Sequence, residues 1–188
     1  GAHSEALLFW KVLERVIEVS CFSLSQFFAV AIGQSVEFNW RFIRPQSWYF
    51  NGSNAPAATV RDGKILVLGD PSGRGAVIET DNPELGDWKT NFAVINTPNG
   101  VQDPMLFTDD DGRVYLYEES SNKFPIRGVE LDPDNYYIPK GEQTDLLYLQ
   151  PEKHGWERFG QDHKSDIQPF IEGPWMVKHG DTYYLEYG

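Results

Sequence analysis

One local plan recurs along this chain and limits what it can fold into. Residues 60–68, 108–117 and 177–187 each place a polar turn containing glycine before a run of β-branched and aromatic residues: Arg61-Asp62-Gly63-Lys64, Asp109-Asp110-Asp111-Gly112 and His179-Gly180-Asp181 are the three turns. Glycine supplies the positive φ that a tight hairpin requires, and the residues after it read as strand. The turn glycines stand at 63, 112 and 180, separated by 49 and 68 residues. A unit of roughly 40–50 residues is the length of a four-stranded propeller blade, so the longer interval implies an insertion, placed at 141–168. Further strand candidates at 75–80 and 126–131 are each followed by a turn carrying Asp and Pro, at Asp81-Asn82-Pro83 and Asp132-Pro133-Asp134. An all-β chain of antiparallel four-stranded blades is the expected architecture.

Residues 1–50 do not share the plan. Ser4 is placed to N-cap a helix with Leu7, Trp10, Leu13 and Ile17 on one side, while Val16-Ile17-Glu18-Val19 alternates as a strand does, so the segment is expected to be irregular or partly helical. The uncharged run from Val19 to Val36 carries Ser20, Ser23, Ser25, Gln26, Gln34 and Ser35, too polar for a membrane span. Cys21 lies among Phe22, Phe27 and Phe28 and reads as a small buried apolar side chain; as the single cysteine it permits no internal disulfide. With no signal peptide visible, the chain reads as soluble and its compartment is left open.

The formal charge of −12 argues against nucleic acid or an anionic membrane as the main partner, since both call for a field of the opposite sign. A neutral ligand fits better. Six Trp, nine Tyr and twelve Phe are many for 188 residues; core and cross-strand packing accounts for most, leaving a few to line a site. His3, His154, His163 and His179 lack metal-ligand spacing, and the Asp109–Asp111 run lacks the spaced ligands and terminal Glu of a calcium loop, so it reads as a hairpin tip. Neither a metal nor a cofactor is expected. No nucleophile elbow or phosphate-cradling glycine loop is present.

Two carboxylates stand out by position. Asp103, in Gln102-Asp103-Pro104, precedes the strand Met105-Leu106-Phe107 that runs into one hairpin; Glu172, in Glu172-Gly173-Pro174, precedes Trp175-Met176-Val177, which runs into another. Asp-Pro pairs ordinarily only build turns, as Asp70-Pro71 and Asp132-Pro133 are expected to do. Equivalent placement in neighbouring blades is different, because the first residues of innermost strands converge near a propeller's axis. Trp156, in the loop His154-Gly155-Trp156-Glu157-Arg158, is open to two readings, a surface on which a sugar stacks or an anchor for the loop.

These segments, Gln102 to Leu116 and Glu172 to Leu185, resemble glycoside hydrolase family 43. The resemblance runs from about Asn54 to the end and implies a five-bladed β-propeller that hydrolyses glycosidic bonds with inversion, mostly on arabinose- and xylose-containing or galactan substrates. It implies that Glu172 is the general acid and that Asp103 orients it and raises its pKa, since a nearby like charge disfavours ionisation. Substrate contacts are expected from Trp175, Trp156 and Asn54, and the partner is an oligosaccharide or polysaccharide. The family's general base is an Asp at the start of the first blade, which nothing here matches, so it is expected upstream of Gly1. His3-Ser4-Glu5-Ala6-Leu7-Leu8-Phe9-Trp10 resembles the stretch that closes that blade.

The chain is therefore expected to be a single partial propeller, with residues 1–50 following a missing first blade and 54–188 forming blades two to four. Open sheet edges in such a piece imply low stability for the chain alone. Asn54-Ala55-Pro56-Ala57 replaces the family's common Trp-Ala-Pro-Asp at the second blade's entry, and Asp62, Asp70 and Asp81 are stand-ins for the base that read better as turn residues. Two further readings are kept: a retaining fructoside-processing propeller, whose acid usually sits in a Glu-Cys pair where this chain has Glu172-Gly173, and a non-catalytic sugar-binding propeller.

Overall fold

A computed structural model describes residues 28–29, 42–43, 54–70, 75–83, 88–90, 95, 97 and 99–188. The helix and strand readings of residues 4–19, the surroundings of Cys21 and the position of His3 lie outside the described residues. Within them the first two elements, β1 (Phe28–Ala29) and β2 (Phe42–Ile43), form a short antiparallel pair.

The Asp62-Gly63 turn shows why the hairpin signals hold. Both residues have positive φ, 50° and 74°, as a two-residue type I′ turn requires, and the turn joins β3 (Asn54–Arg61) to β4 (Lys64–Asp70) with Arg61 opposite Lys64. The sheet continues through β5 (Ile78–Thr80) and β6 (Lys89–Thr90) in the order β3-β4-β5-β6. Only the last half of the predicted 75–80 strand is regular, because Gly75 instead makes an isolated bridge to Ile95.

The second sheet begins with β7 (Met105–Thr108) and β8 (Val114–Glu118), joined at the Asp109–Gly112 tip, where the Gly112 N–H donates to the Asp109 carbonyl and Gly112 takes φ 80°. It extends through β9 (Ile126–Asp132) to β10 (Ile138–Pro139), the two being separated by a 3-10 turn at Pro133–Asn135 that the Asp132 carboxylate caps through the Asp134 N–H. β11 (Thr144–Leu147), inside the predicted insertion, also pairs with β9 and makes a fifth strand. The rest of that insertion is loop with one 3-10 turn, Gly155–Glu157. A two-stranded sheet follows, β12 (Trp175–His179) and β13 (Thr182–Glu186), turning at Gly180 with φ 59°. No α-helix occurs among the described residues.

Strand alternation decides how the sheets stack. Leu66 and Leu68 of the first sheet and Leu106, Val114, Leu116, Val129 and Leu131 of the second meet in one buried cluster, closed by Ala57, Val77, Ile95, Val101 and Tyr137. The alternate residues of the second sheet face the other way, where Phe107 meets Tyr183 of β13 edge-on at 6.2 Å. Further out, that face carries an open cleft of about 400 Å³ whose lining includes Tyr115, Gly128 and Leu146. The first strands of the three sheets, β3, β7 and β12, lie in sequence beside one another, with Thr59 donating to Thr108 at 3.0 Å and Arg61 Nε to the Gly112 carbonyl at 2.9 Å. This is the radial order of propeller blades.

Replacing Leu116, fully buried between the sheets, with Ala is expected to cost about 2–5 kcal/mol. Gly63→Ala meets no atom in its turn and is expected to cost only about 1–2 kcal/mol, from the left-handed backbone. Thermal and denaturant unfolding of the two variants checks this ranking.

Candidate active site

Both candidate carboxylates sit on short kinked segments that lead into first strands. Asp103 has φ 43° and Gly173, next to Glu172, has φ 58°, and in each case a buried proline, Pro104 or Pro174, follows before the strand begins. Proline fixes its own φ and donates no hydrogen bond, so it delivers the chain extended into the sheet. Asp103 and Glu172 are both half-buried.

Three contacts bring the two segments together. The Met176 N–H, at the start of β12, donates to Met105 Sδ at the start of β7 at 2.7 Å. Continuing the β7–β8 register past Met105, opposite Tyr117, lays Gln102 and Asp103 beside Glu119 and Ser120, and the Glu119 N–H donates to the Gln102 carbonyl at 2.9 Å. Ser120 Oγ then donates to Glu172 Oε2 at 3.1 Å. The neighbouring backbone is bridged as well, Ser121 to Ile171 in both directions at 2.9 and 3.0 Å, and Glu172 to Gly188 at 3.1 and 3.0 Å. Asp103 and Glu172 thus belong to one end of two adjacent sheets.

Under them lie two acids that sequence reasoning missed. Glu118 is buried; its Oε2 accepts the Gln102 N–H at 3.2 Å and its Oε1 accepts Gln143 Nε2 at 2.6 Å. Burial pushes its carboxyl up, and the adjacent Glu119 adds to that, against the hydrogen bonds it accepts. Glu119 is fully buried at φ 144°, a backbone region that non-glycine residues enter at a cost and mostly near functional sites. Its Oε1 accepts Asn99 Nδ2 at 2.7 Å and the Ser120 N–H at 3.1 Å, and its Oε2 stands 3.8 Å from Arg127 Nη1. Arg127 also binds Asp145 at 3.0 Å and lies over the Phe124 ring. Counting pairs back from the Asp109–Gly112 turn was the available signal, since it sets residue 119 opposite 103.

Trp156 is 52% exposed on the 3-10 turn. Its neighbour anchors the loop as well: the buried Glu157 carboxylate accepts the Gln150 N–H at 2.6 Å and the Tyr187 hydroxyl at 2.8 Å, and burial together with that bond pushes the Tyr187 phenol up to about 12. The Trp156 indole packs on the Tyr187 ring at 5.2 Å, one residue from the Gly188 that pairs with Glu172. Trp175 is half-buried at the head of β12, opposite Glu186. Asn54 opens β3, its backbone opposite Asp70. Asp62 lies in the first hairpin turn, 3.2 Å from Arg61, and Asp81 is exposed in a bend after β5. Among the described residues no group of three or more His, Cys, Asp or Glu could hold a metal.

The profile of the family described as "Glycosyl hydrolases family 43" matches residues 41–188. The chain belongs to glycosyl hydrolase family 43. Solved family-43 structures share its fold at low identity. A β-xylosidase/α-arabinofuranosidase from a compost microbial metagenome, in complex with xylotriose, is 19% identical with TM-score 0.58, over 85% of this chain and 58% of that one. The xylan β-1,4-xylosidase of Bacillus halodurans C-125 is 21% identical with TM-score 0.55, over 87% of this chain and 33% of that one. The arabinanase Arb43A of Bacillus subtilis is 18% identical with TM-score 0.55, over 80% and 53%. The chain therefore spans well under two thirds of each. No curated protein matches it significantly.

In this family-43 chain the acidic hairpin tip joins blades. Asp109 accepts from Lys178 at 2.7 Å and from the Tyr183 hydroxyl at 2.6 Å, while Asp110 stands 2.9 Å from Lys178. Burial alone would raise the Asp109 carboxyl, but the bonds from Lys178, Tyr183 and the Asp110 N–H outweigh it and hold the group at about 2. A carboxyl depressed in this way stabilises the fold above its unfolded value, near 3.8, and that contribution is lost as pH falls toward 2. Asp109→Asn is expected to cost about 1–3 kcal/mol at pH 7, with the gap to the unsubstituted protein narrowing between pH 4 and pH 2 in thermal melts.

Proposed function

We propose that this protein hydrolyses O-glycosidic bonds in a pentose- or galactose-containing glycan, in the manner of a β-xylosidase or α-L-arabinofuranosidase, by an inverting acid/base mechanism. The observation that carries the reading is the linkage of Glu172, through Ser120 and Glu119, to the segment bearing Asp103. Glu172 is the general acid: its proton passes to the glycosidic oxygen as the bond from that oxygen to the anomeric carbon breaks, so the departing sugar leaves as a neutral alcohol. Asp103 is assigned the orienting role for Glu172. Water enters from the opposite face, activated by a base carboxylate held roughly 6.5–9.5 Å from the acid as inversion requires.

Sugars present apolar C–H faces, which suits the half-exposed Trp156 indole on Tyr187 and, closer to Glu172 in sequence, Trp175. With Asn54 at the head of β3, these are the proposed substrate contacts. The xylotriose complex of one structural relative supports an oligosaccharide as the ligand to try first. A retaining fructoside mechanism is less well supported, since it pairs the acid with a cysteine where this chain has Gly173.

Glu172→Gln is expected to lower hydrolysis of unactivated xylo- and arabino-oligosaccharides by about 10²–10⁴-fold, and to slow 4-nitrophenyl pentosides far less because their leaving group needs little protonation. Undiminished oligosaccharide hydrolysis by the variant would refute the acid assignment. Binding of xylotriose by calorimetry without any hydrolysis by the full-length parent protein, base included, would instead support a carbohydrate-binding propeller.

A further inference from the structure

We propose that Ser120 is a positioning residue for the acid, its hydroxyl fixing the Glu172 carboxyl in one rotamer and leaving the transferable proton on Oε1. The kinetic consequence rests on the hydrolase reading above; the geometric one does not.

The hydrogen bond from Ser120 Oγ to Glu172 Oε2, at 3.1 Å, spans 52 residues of sequence. Backbone is pinned on both sides of it. The Ser120 N–H donates to Glu119 Oε1, Ser121 bridges Ile171, and the Glu172 backbone pairs with Gly188. With both main chains held, what stays adjustable is the three-torsion side chain of Glu172, and a serine hydroxyl is short enough to stop it without reaching into a sugar site. Glu119, fully buried and at positive φ, makes the placement exact for both candidates, because its N–H holds the Gln102 carbonyl beside Asp103 while its carboxylate holds the Ser120 amide.

The chemistry follows from which oxygen accepts. A neutral carboxylic acid carries one O–H and one acceptor oxygen. Donation by Ser120 marks Oε2 as the acceptor, so the proton resides on Oε1, on the side away from Ser120. When that proton passes to the glycosidic oxygen, the C–O bonding pair stays on the leaving sugar and Glu172 becomes a carboxylate. The Ser120 bond then turns charge-assisted and strengthens. An interaction that is stronger after proton transfer than before it lowers the barrier.

The test compares the unsubstituted protein with Ser120→Ala and Ser120→Thr. In crystal structures, Ser120→Ala is expected to release the Glu172 carboxyl into another rotamer or several, and Ser120→Thr, which keeps the hydroxyl, to retain it. In kinetics, Ser120→Ala is expected to lower kcat about tenfold on xylobiose and phenyl pentosides with little change in KM, and to change 4-nitrophenyl pentosides less than twofold. A Glu172 carboxyl in the same place in Ser120→Ala overturns the proposal, and so does an equal loss across all leaving groups, which marks general damage. Absence of hydrolysis by the full-length parent protein, which supplies the base expected upstream of Gly1, would count against the function proposed above, and the crystallographic comparison then decides the role of Ser120 by itself.

Discussion

The second sheet is apolar on both faces, and the rest of the structure follows from having to cover each of them. Val114, Leu116, Val129 and Leu131 point one way into the first sheet, while on the other face Phe107 meets Tyr183 of β13 and Tyr115, stacked with Tyr117, lines the open cleft. A half-buried antiparallel sheet normally has a polar face for water; this one has none to spare at its inner strands. Stacking on both sides covers the first strand of that sheet and sets β7 between β3 and β12. The polar contacts at the hairpin tips, Arg61 to the Gly112 carbonyl and Lys178 to Asp109, fix how far each sheet slides along the next.

Because the first strands run side by side, whatever precedes them is delivered to a common end. That is how the segment bearing Asp103 and the Glu172 side chain, 69 positions apart in sequence, come to be linked through Glu119 and Ser120. The network is built on buried carboxylates, which are costly without partners. Glu118 and Glu119 between them take up the Gln102, Asn99, Gln143 and Ser120 donors, so the charge under the candidate site also serves as its framework. Family-43 membership is shown over residues 41–188, and the framework is a separate observation made from the hydrogen bonds alone.

Hairpins were legible because their signals are local. Asp62-Gly63 and Gly180-Asp181 carry the backbone demands of two-residue turns in their own side chains, and the alternation after Gly112 reads directly as β8. Within the insertion the strand Thr144–Leu147 was not legible, since its four residues do not alternate and become a strand by pairing with β9. Asp103 and Glu172 were legible as equivalent positions in a repeat. Ser120 and Glu119 were not, because nothing in Glu118-Glu119-Ser120-Ser121 distinguishes a solvated turn from a buried one until the sheet register sets them against Gln102 and Glu172. Trp156 stayed ambiguous for the same reason: the partner that settles the loop, Tyr187, lies 31 residues away.

The left-handed backbone at Asp103, φ 43°, ties two kinds of selection to one position. Among residues with a side chain, Asp and Asn enter that region most readily. A longer acid at 103 would keep the charge yet resist the kink, and an alanine would lose both. Drift at this site is therefore channelled toward Asn or Gly, replacements that preserve the path of the chain while removing its charge.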